Sequence, residues 1–153
     1  MTKEYVAYYN SPIGLLEIKS TEQGITTIEF VEEKNENSIS YPSVLEECIN
    51  QLDQYFLGQR KKFSVRLQLL GTEFQKKVWK ELLKIPYGEM RSYLEIATAI
   101  GNKNAARAVG GANKKNKIAI IIPCHRIIGS NGKLTGYNSG LNRKKWLLAH
   151  ETS

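Results

Sequence analysis

Ser92-Tyr93-Leu94-Glu95-Ile96-Ala97-Thr98-Ala99-Ile100-Gly101-Asn102-Lys103-Asn104-Ala105-Ala106-Arg107-Ala108-Val109-Gly110-Gly111-Ala112-Asn113 decides the reading of this chain. Ser92 is a good N-cap for a short helix running to Ile100, and Gly101-Asn102-Lys103 supplies the tight turn into a second helix from Asn104 to Asn113. Length and turn chemistry together predict a helix-turn-helix. The second helix has almost no side-chain bulk apart from Arg107. Such a stretch either packs closely against a neighbour or lets a ligand's backbone approach.

Upstream, Thr72 is placed to cap a helix carrying Phe74, Val78, Trp79, Leu82 and Leu83, ended by Pro86-Tyr87-Gly88. Before it the pattern changes. Tyr5 to Tyr9, Leu15 to Ser20 and Gly24 to Val31 are short, rich in β-branched and aromatic residues, and separated by turn signals, which predicts an antiparallel meander. Residues 32 to 40 read as a loop. Pro42 opens a helix with Val44, Leu45, Ile49, Leu52, Tyr55 and Phe56 at helical spacing, and Gly58 ends it. Lys62 to Leu67 reads as a further strand. The expected fold class is therefore α+β, with an N-terminal domain at 1–70 and a mostly helical C-terminal domain at 71–153.

Downstream, Ile118 to Ile122 is a β-branched apolar run read as a buried strand that stops at Pro123, directly before Cys124, His125 and Arg126. An imidazole and a guanidinium beside a rigidly held thiol favour the thiolate. A lone Cys-His pair is also compatible with an inert buried cysteine. Arg126 is costly to bury unless it pairs with something, and the glycines at 129, 132, 136 and 140 form a loop that a ligand can approach.

The 153 residues, 41% hydrophobic and 24% charged, suit one compact domain or two small ones and exclude disordered or fibrous classes. Charge is divided: residues 1–71 carry a net −3 and residues 72–153 a net +10, for +7 overall. That suits a polyanionic partner or a solvated basic surface. No apolar run approaches the roughly 20 residues that span a bilayer, and residues 1–5 lack the features of a signal peptide, so an intracellular, cytoplasmic location is expected. Cys48 and Cys124 are read as independent reduced thiols, Cys48 as core. Neither they nor His125 and His150 have zinc-site spacing, so no metal is expected.

Ile121-Ile122-Pro123-Cys124-His125-Arg126 resembles the active-site motif of the methylated-DNA–protein-cysteine methyltransferases, the O6-alkylguanine-DNA alkyltransferases. The likeness extends in order through Gly71-Thr72-Glu73-Phe74-Gln75 with Val78-Trp79, Ile85-Pro86-Tyr87-Gly88-Glu89, Arg91-Ser92-Tyr93, Ala105 to Gly110, Asn113, Asn116, and Lys145 to Glu151. The resemblance implies a ribonuclease H-like N-terminal sheet with a helix, and irreversible, stoichiometric alkyl transfer from guanine O6, less readily from thymine O4, to Cys124. It further implies His125 as base through a bound water, Glu151 orienting it, and Asn116 bracing the turn. Tyr93 would donate to the base and help swing it out. Arg107 would fill the vacated stack while the small-residue helix, with Ala106, lies in the minor groove. Tyr137, Asn138 and Ser139 would line the pocket, and Ser92 and Arg126 would contact DNA or substrate. No cofactor is implied. The partner is double-stranded DNA with alkylated bases, bound by a monomer.

Two positions depart from the family pattern. Lys117 replaces a proline, which predicts a looser turn, and Ser139 replaces the first glycine of a Tyr-x-Gly-Gly loop, which predicts poorer acceptance of bulky adducts. The competing readings are a non-transferring DNA-binding relative, against which Cys124 argues, and a Cys-His thiol hydrolase or redox protein.

Overall fold

The structure is a computed structural model that describes residues 3–35, 37–129, 131–134 and 136–153. The chain divides into two compact units, Met1–Leu69 and Leu70–Ser153.

In the first unit, β1 (Tyr5–Ser11), β2 (Gly14–Thr21) and β3 (Gly24–Val31) form an antiparallel sheet in the order β1-β2-β3. The hairpins close over Pro12-Ile13 and Glu22-Gln23, with Ser11 opposite Gly14 and Thr21 opposite Gly24. Helix α1 (Ser43–Phe56) contacts all three strands. Leu16, Ile18 and Ile25 of the sheet and Leu45, Leu52 and Tyr55 of α1 are fully buried, the alternation of a strand meeting the stripe of an amphipathic helix. Cys48 is 0% exposed, and burial pushes its thiol up to about 12, so it is part of this core.

Two details differ from the expectation. Pro42 is the N-cap of α1 rather than its first residue. Lys62 to Leu67 is not a strand: only Leu67 bridges, parallel to Ile25, through Ile25 N to Arg66 O at 2.9 Å and Gln68 N to Ile25 O at 2.8 Å. Gly24 permits this approach, since a Cβ there would stand 2.8 Å from the Arg66 carbonyl oxygen. The pairing is too brief to make a ladder. Of the expected loop at 32–40, Glu36 lies outside the described residues.

The second unit contains α2 (Glu73–Leu82), α3 (Tyr93–Ala99), α4 (Ala106–Lys114) and α5 (Leu141–Thr152). Thr72 and Gln75 form a reciprocal cap at the start of α2, and Ser92 and Glu95 do the same for α3. Trp79 in α2 donates its indole N–H to the Ala112 carbonyl of α4 at 2.9 Å, tying the two helices together. A 3-10 turn at Lys103–Ala105 connects α3 to α4, and the two helices pack on each other as a helix-turn-helix. Two-residue strands β4 (Arg91–Ser92) and β5 (Ile127–Ile128) pair in parallel.

The run from Ile118 to Ile122 is buried as expected, but it is not a strand. It is coiled into consecutive tight turns, Ile121 N to Ala119 O at 2.8 Å and Ile122 N to Ile118 O at 3.2 Å, with Ile120 at φ 73°. Burial, which β-branched composition does signal, is satisfied here without a strand ladder, since Ile118 alone of the run carries an isolated bridge. Among the described residues, no helix is long and apolar enough to cross a membrane.

Candidate active site

Asn116 holds that coil together. Its side-chain oxygen accepts from Ile118 N at 2.9 Å, and its amide donates to the carbonyls of Ile118 at 3.3 Å and Ile122 at 3.1 Å. Lys117 beside it is exposed, so the turn owes its shape to Asn116. The coil delivers the chain into a 3-10 turn at Cys124–Arg126, which places Cys124 at the start of a turn rather than at the end of a strand.

Cys124 retains 8% of its surface. Burial pushes its thiol above the ordinary value, while the Asn116 side chain, the Lys144 charge and the Tyr137 hydroxyl oppose that rise by favouring the thiolate. The Tyr137 hydroxyl is itself buried beside the sulfur, without a well-formed hydrogen bond among the described residues.

His125 is 0% exposed, and its Nε2 lies 2.7 Å from Glu151 Oε2. Burial of Glu151 favours its neutral form, but the hydrogen bonds and charges of His125 and Arg126 outweigh burial and hold the carboxyl well below the usual range. A carboxylate only accepts, so in the neutral ring Nε2 carries the proton and Nδ1 keeps its lone pair. Nδ1 is buried and has no hydrogen-bond partner among the described residues. Burial also lowers the imidazole's pKa; Glu151 opposes this, whereas the charges of Arg126 and Lys144 add to it.

Arg126 does not face a ligand, contrary to its expected place at a DNA-contacting surface. It is 6% exposed, and its guanidinium donates to Glu151 through Nε to Oε1 at 2.7 Å and Nη2 to Oε2 at 2.9 Å, and through Nη1 to the Ile85 carbonyl at 2.7 Å. The Tyr87 ring lies 5.9 Å away. A buried guanidinium needs such partners, and with each of its three nitrogens turned to an internal acceptor the group faces the interior rather than a surface that DNA could reach.

Lys144 escaped the sequence reading. It is fully buried on α5 and donates to the Ile127 carbonyl at 2.5 Å. Positions 144, 147 and 151 share one helical face, so the spacing to Leu147 and Glu151 was the available signal.

A concavity of about 900 Å³ lies along the helix-turn-helix. Tyr93, Leu94, Ala106, Arg107, Gly110, Gly111, Lys114, Gly129, Asn131 and Gly136 line it. It gathers Tyr93, Ala106 and Arg107 but not Ser92, Cys124, Tyr137, Asn138 or Ser139. Ser92 caps α3, the Asn138 amide donates to the Lys114 carbonyl, and the Ser139 carbonyl accepts from Arg143 at 3.1 Å. Arg107 is exposed. A Cβ on Gly110 would make only ordinary contact with the Tyr93 ring at 3.6 Å, and one on Gly111 would meet nothing within 4 Å. Internal packing therefore does not explain the missing bulk on this face of α4.

Residues 73–153 match the family model described as the DNA-binding domain of 6-O-methylguanine DNA methyltransferase, and residues 5–69 match its ribonuclease-like domain. The chain belongs to the 6-O-methylguanine DNA methyltransferase family. Its relatives in that family include methylated-DNA–protein-cysteine methyltransferases from Methanosarcina acetivorans, 49% identical over 97% of this chain and 99% of that protein, and from Mycobacterium bovis, 50% identical over 94% and 90%. Among solved structures of the family, the Mycobacterium tuberculosis O6-methylguanine methyltransferase aligns with a TM-score of 0.87 at 47% identity, covering 98% of this chain and 93% of that one. The M. tuberculosis protein in complex with DNA aligns with a TM-score of 0.86 at 49% identity over 95% and 91%. The α+β fold, with its ribonuclease-like sheet and its helix-turn-helix, is that of the family.

Proposed function

We propose that this protein, a methylated-DNA–protein-cysteine methyltransferase by family, repairs O6-alkylguanine, and less readily O4-alkylthymine, by moving the alkyl group irreversibly onto Cys124. The observation that carries the assignment is the buried pair of His125, which directly follows Cys124, and Glu151, 2.7 Å apart, with the opposite ring nitrogen unpartnered among the described residues. His125 Nδ1 takes the thiol proton through a bridging water, and Glu151 stabilises the imidazolium that results. The thiolate attacks the alkyl carbon, the carbon–O6 bond breaks, and its electron pair leaves with the purine. Tyr93 donates a proton to the departing base, and the Tyr137–Ser139 loop lines the pocket. The thioether is too stable to be displaced, so each molecule acts once.

The alkyl carbon lies within the base stack, so the nucleotide is flipped at a cost of a few kcal/mol. Arg107 fills the gap, and the bare face of α4 enters the minor groove, which is about 6 Å wide. The second unit thus performs binding and chemistry, while the first is structural. The protein acts as a monomer on chromosomal DNA, in a compartment that keeps thiols reduced.

Intact-mass measurement after incubation with duplex DNA bearing O6-methylguanine tests this. One CH2 is gained per molecule, on Cys124, in a burst that does not turn over; Cys48→Ser behaves identically and Cys124→Ala gains nothing. DNA binding without mass gain would instead indicate a non-transferring relative, and a turning-over thioester or disulfide activity a thiol hydrolase or redox protein.

A further inference from the structure

Arg126 is the strongest group that the transfer chemistry leaves unused. It is buried, all three of its bonded nitrogens are committed within 2.9 Å, and two of them grip the carboxylate that meets His125. Each Glu151 oxygen takes one guanidinium donor, so the carboxylate plane is fixed by a two-point contact, and Oε2 faces the imidazole with its remaining lone pair. Gly88 N also approaches Glu151 Oε1, at a longer 3.4 Å, so the guanidinium supplies the short two-point contact.

We propose that Arg126 is a positioning residue that holds the Glu151 carboxylate oriented on His125 Nε2, so that Nδ1 is the ring nitrogen offered to Cys124. Its charge also acts on the ring directly, in the sense opposite to that of Glu151. The groups facing His125 are Glu151 and Lys144 from α5, Arg126 and Cys124 from its own turn, and the Tyr137 ring edge at 6.5 Å. Of these, Glu151 favours the imidazolium, whereas Arg126 and Lys144 disfavour it. Arg126 thus balances Glu151 and leaves the ring neutral, able to accept a proton rather than already holding one.

The inference rests on Cys124 as acceptor and His125 as its base, but ring-nitrogen NMR reads it without DNA. In the ¹⁵N-labelled protein, His150 serves as an internal comparison. The wild type is expected to show His125 protonated on Nε2 and bare on Nδ1; the opposite tautomer overturns the proposal. In Arg126→Met, His125 titrates at higher pH, and transfer near neutrality falls about 10- to 100-fold, part of what a positioned base contributes. The loss shrinks as pH rises above the new titration point, whereas a merely structural defect would slow transfer equally at every pH. A folded Arg126→Met protein with unchanged His125 titration overturns the proposal.

Arg126→Lys retains charge but not the two-point grip, and it decides the matter if Arg126→Met does not fold. His125 is expected to titrate near the wild-type position while transfer is slower; wild-type behaviour in both overturns the proposal. A protein with the expected ring signals that never alkylates Cys124 refutes the transfer reading and leaves the role of Arg126 standing.

Discussion

The side-chain amide of Asn116 donates to the backbone carbonyl of Ile122 at 3.1 Å, reaching across the coil to a point two residues before Cys124. It makes two further bonds within that turn. At about 1 kcal/mol for each hydrogen bond, Asn116→Ala is expected to cost about 3 kcal/mol of stability. The same change removes a group that favours the thiolate, so the Cys124 thiol rises further. Denaturant titration and the pH dependence of thiol alkylation measure the two effects; a variant with wild-type values in both would show that the turn holds itself.

Lys144→Met removes a buried positive charge that favours the Cys124 thiolate. Transfer at neutral pH is expected to drop about tenfold for each unit by which the thiol's pKa rises. Measured against pH in a Cys48→Ser background, alkylation by iodoacetamide moves to higher pH. An unmoved profile would remove Lys144 from the electrostatics of the sulfur.

Acid weakens the second unit through two groups. His125 is depressed in the folded state, so its contribution is intact above the unfolded histidine value of about 6.5 and is lost as pH falls from there toward the folded value. Glu151 is also depressed, so its contribution is intact above about 4.3 and declines on further acidification toward its folded value. Denaturant midpoints at pH 7, 5 and 4 therefore fall in that order, and a midpoint that holds or rises between pH 7 and 5 contradicts the buried neutral imidazole.

Arg107 is exposed, so Arg107→Ala is expected to fold with stability within about 0.5 kcal/mol of wild type. If its side chain occupies the vacated stack, repair of duplex DNA slows much more than reaction with the free modified base. Equal slowing on both substrates would assign the loss to the chemistry instead.

Ser139 adds a side chain at the half-buried start of the turn into α5. Benzyl transfer is expected to be slower than methyl transfer, with Ser139→Gly restoring the benzyl rate. Equal wild-type rates on the two adducts, or a gain confined to methyl, would show that position 139 does not limit adduct size.

Much of this was legible in the residues because local chemistry and final structure agree. Thr72 with Gln75 and Ser92 with Glu95 announce helix starts by their own hydrogen bonds, and the alternation in 5–31 needs only a helix to cover it. The errors arose where a distant partner decides. Nothing local to Ile118–Ile122 says that Asn116 will coil it, and nothing local to Arg126 says that Glu151, 25 residues away, will claim its donors. Likewise Leu67 reaches a sheet edge only because Gly24 leaves room.

The two-residue pairing of Arg91–Ser92 with Ile127–Ile128 joins the backbone immediately before Tyr93 to the backbone immediately after Arg126. It acts as a fixed gauge. The spacing between the helix pair proposed to meet DNA and the turn that carries Cys124 is set by main-chain pairing, which side-chain changes scarcely alter. A change of side chain on either partner therefore leaves the gauge set, because the two hydrogen-bonded backbones, not their substituents, keep the distance.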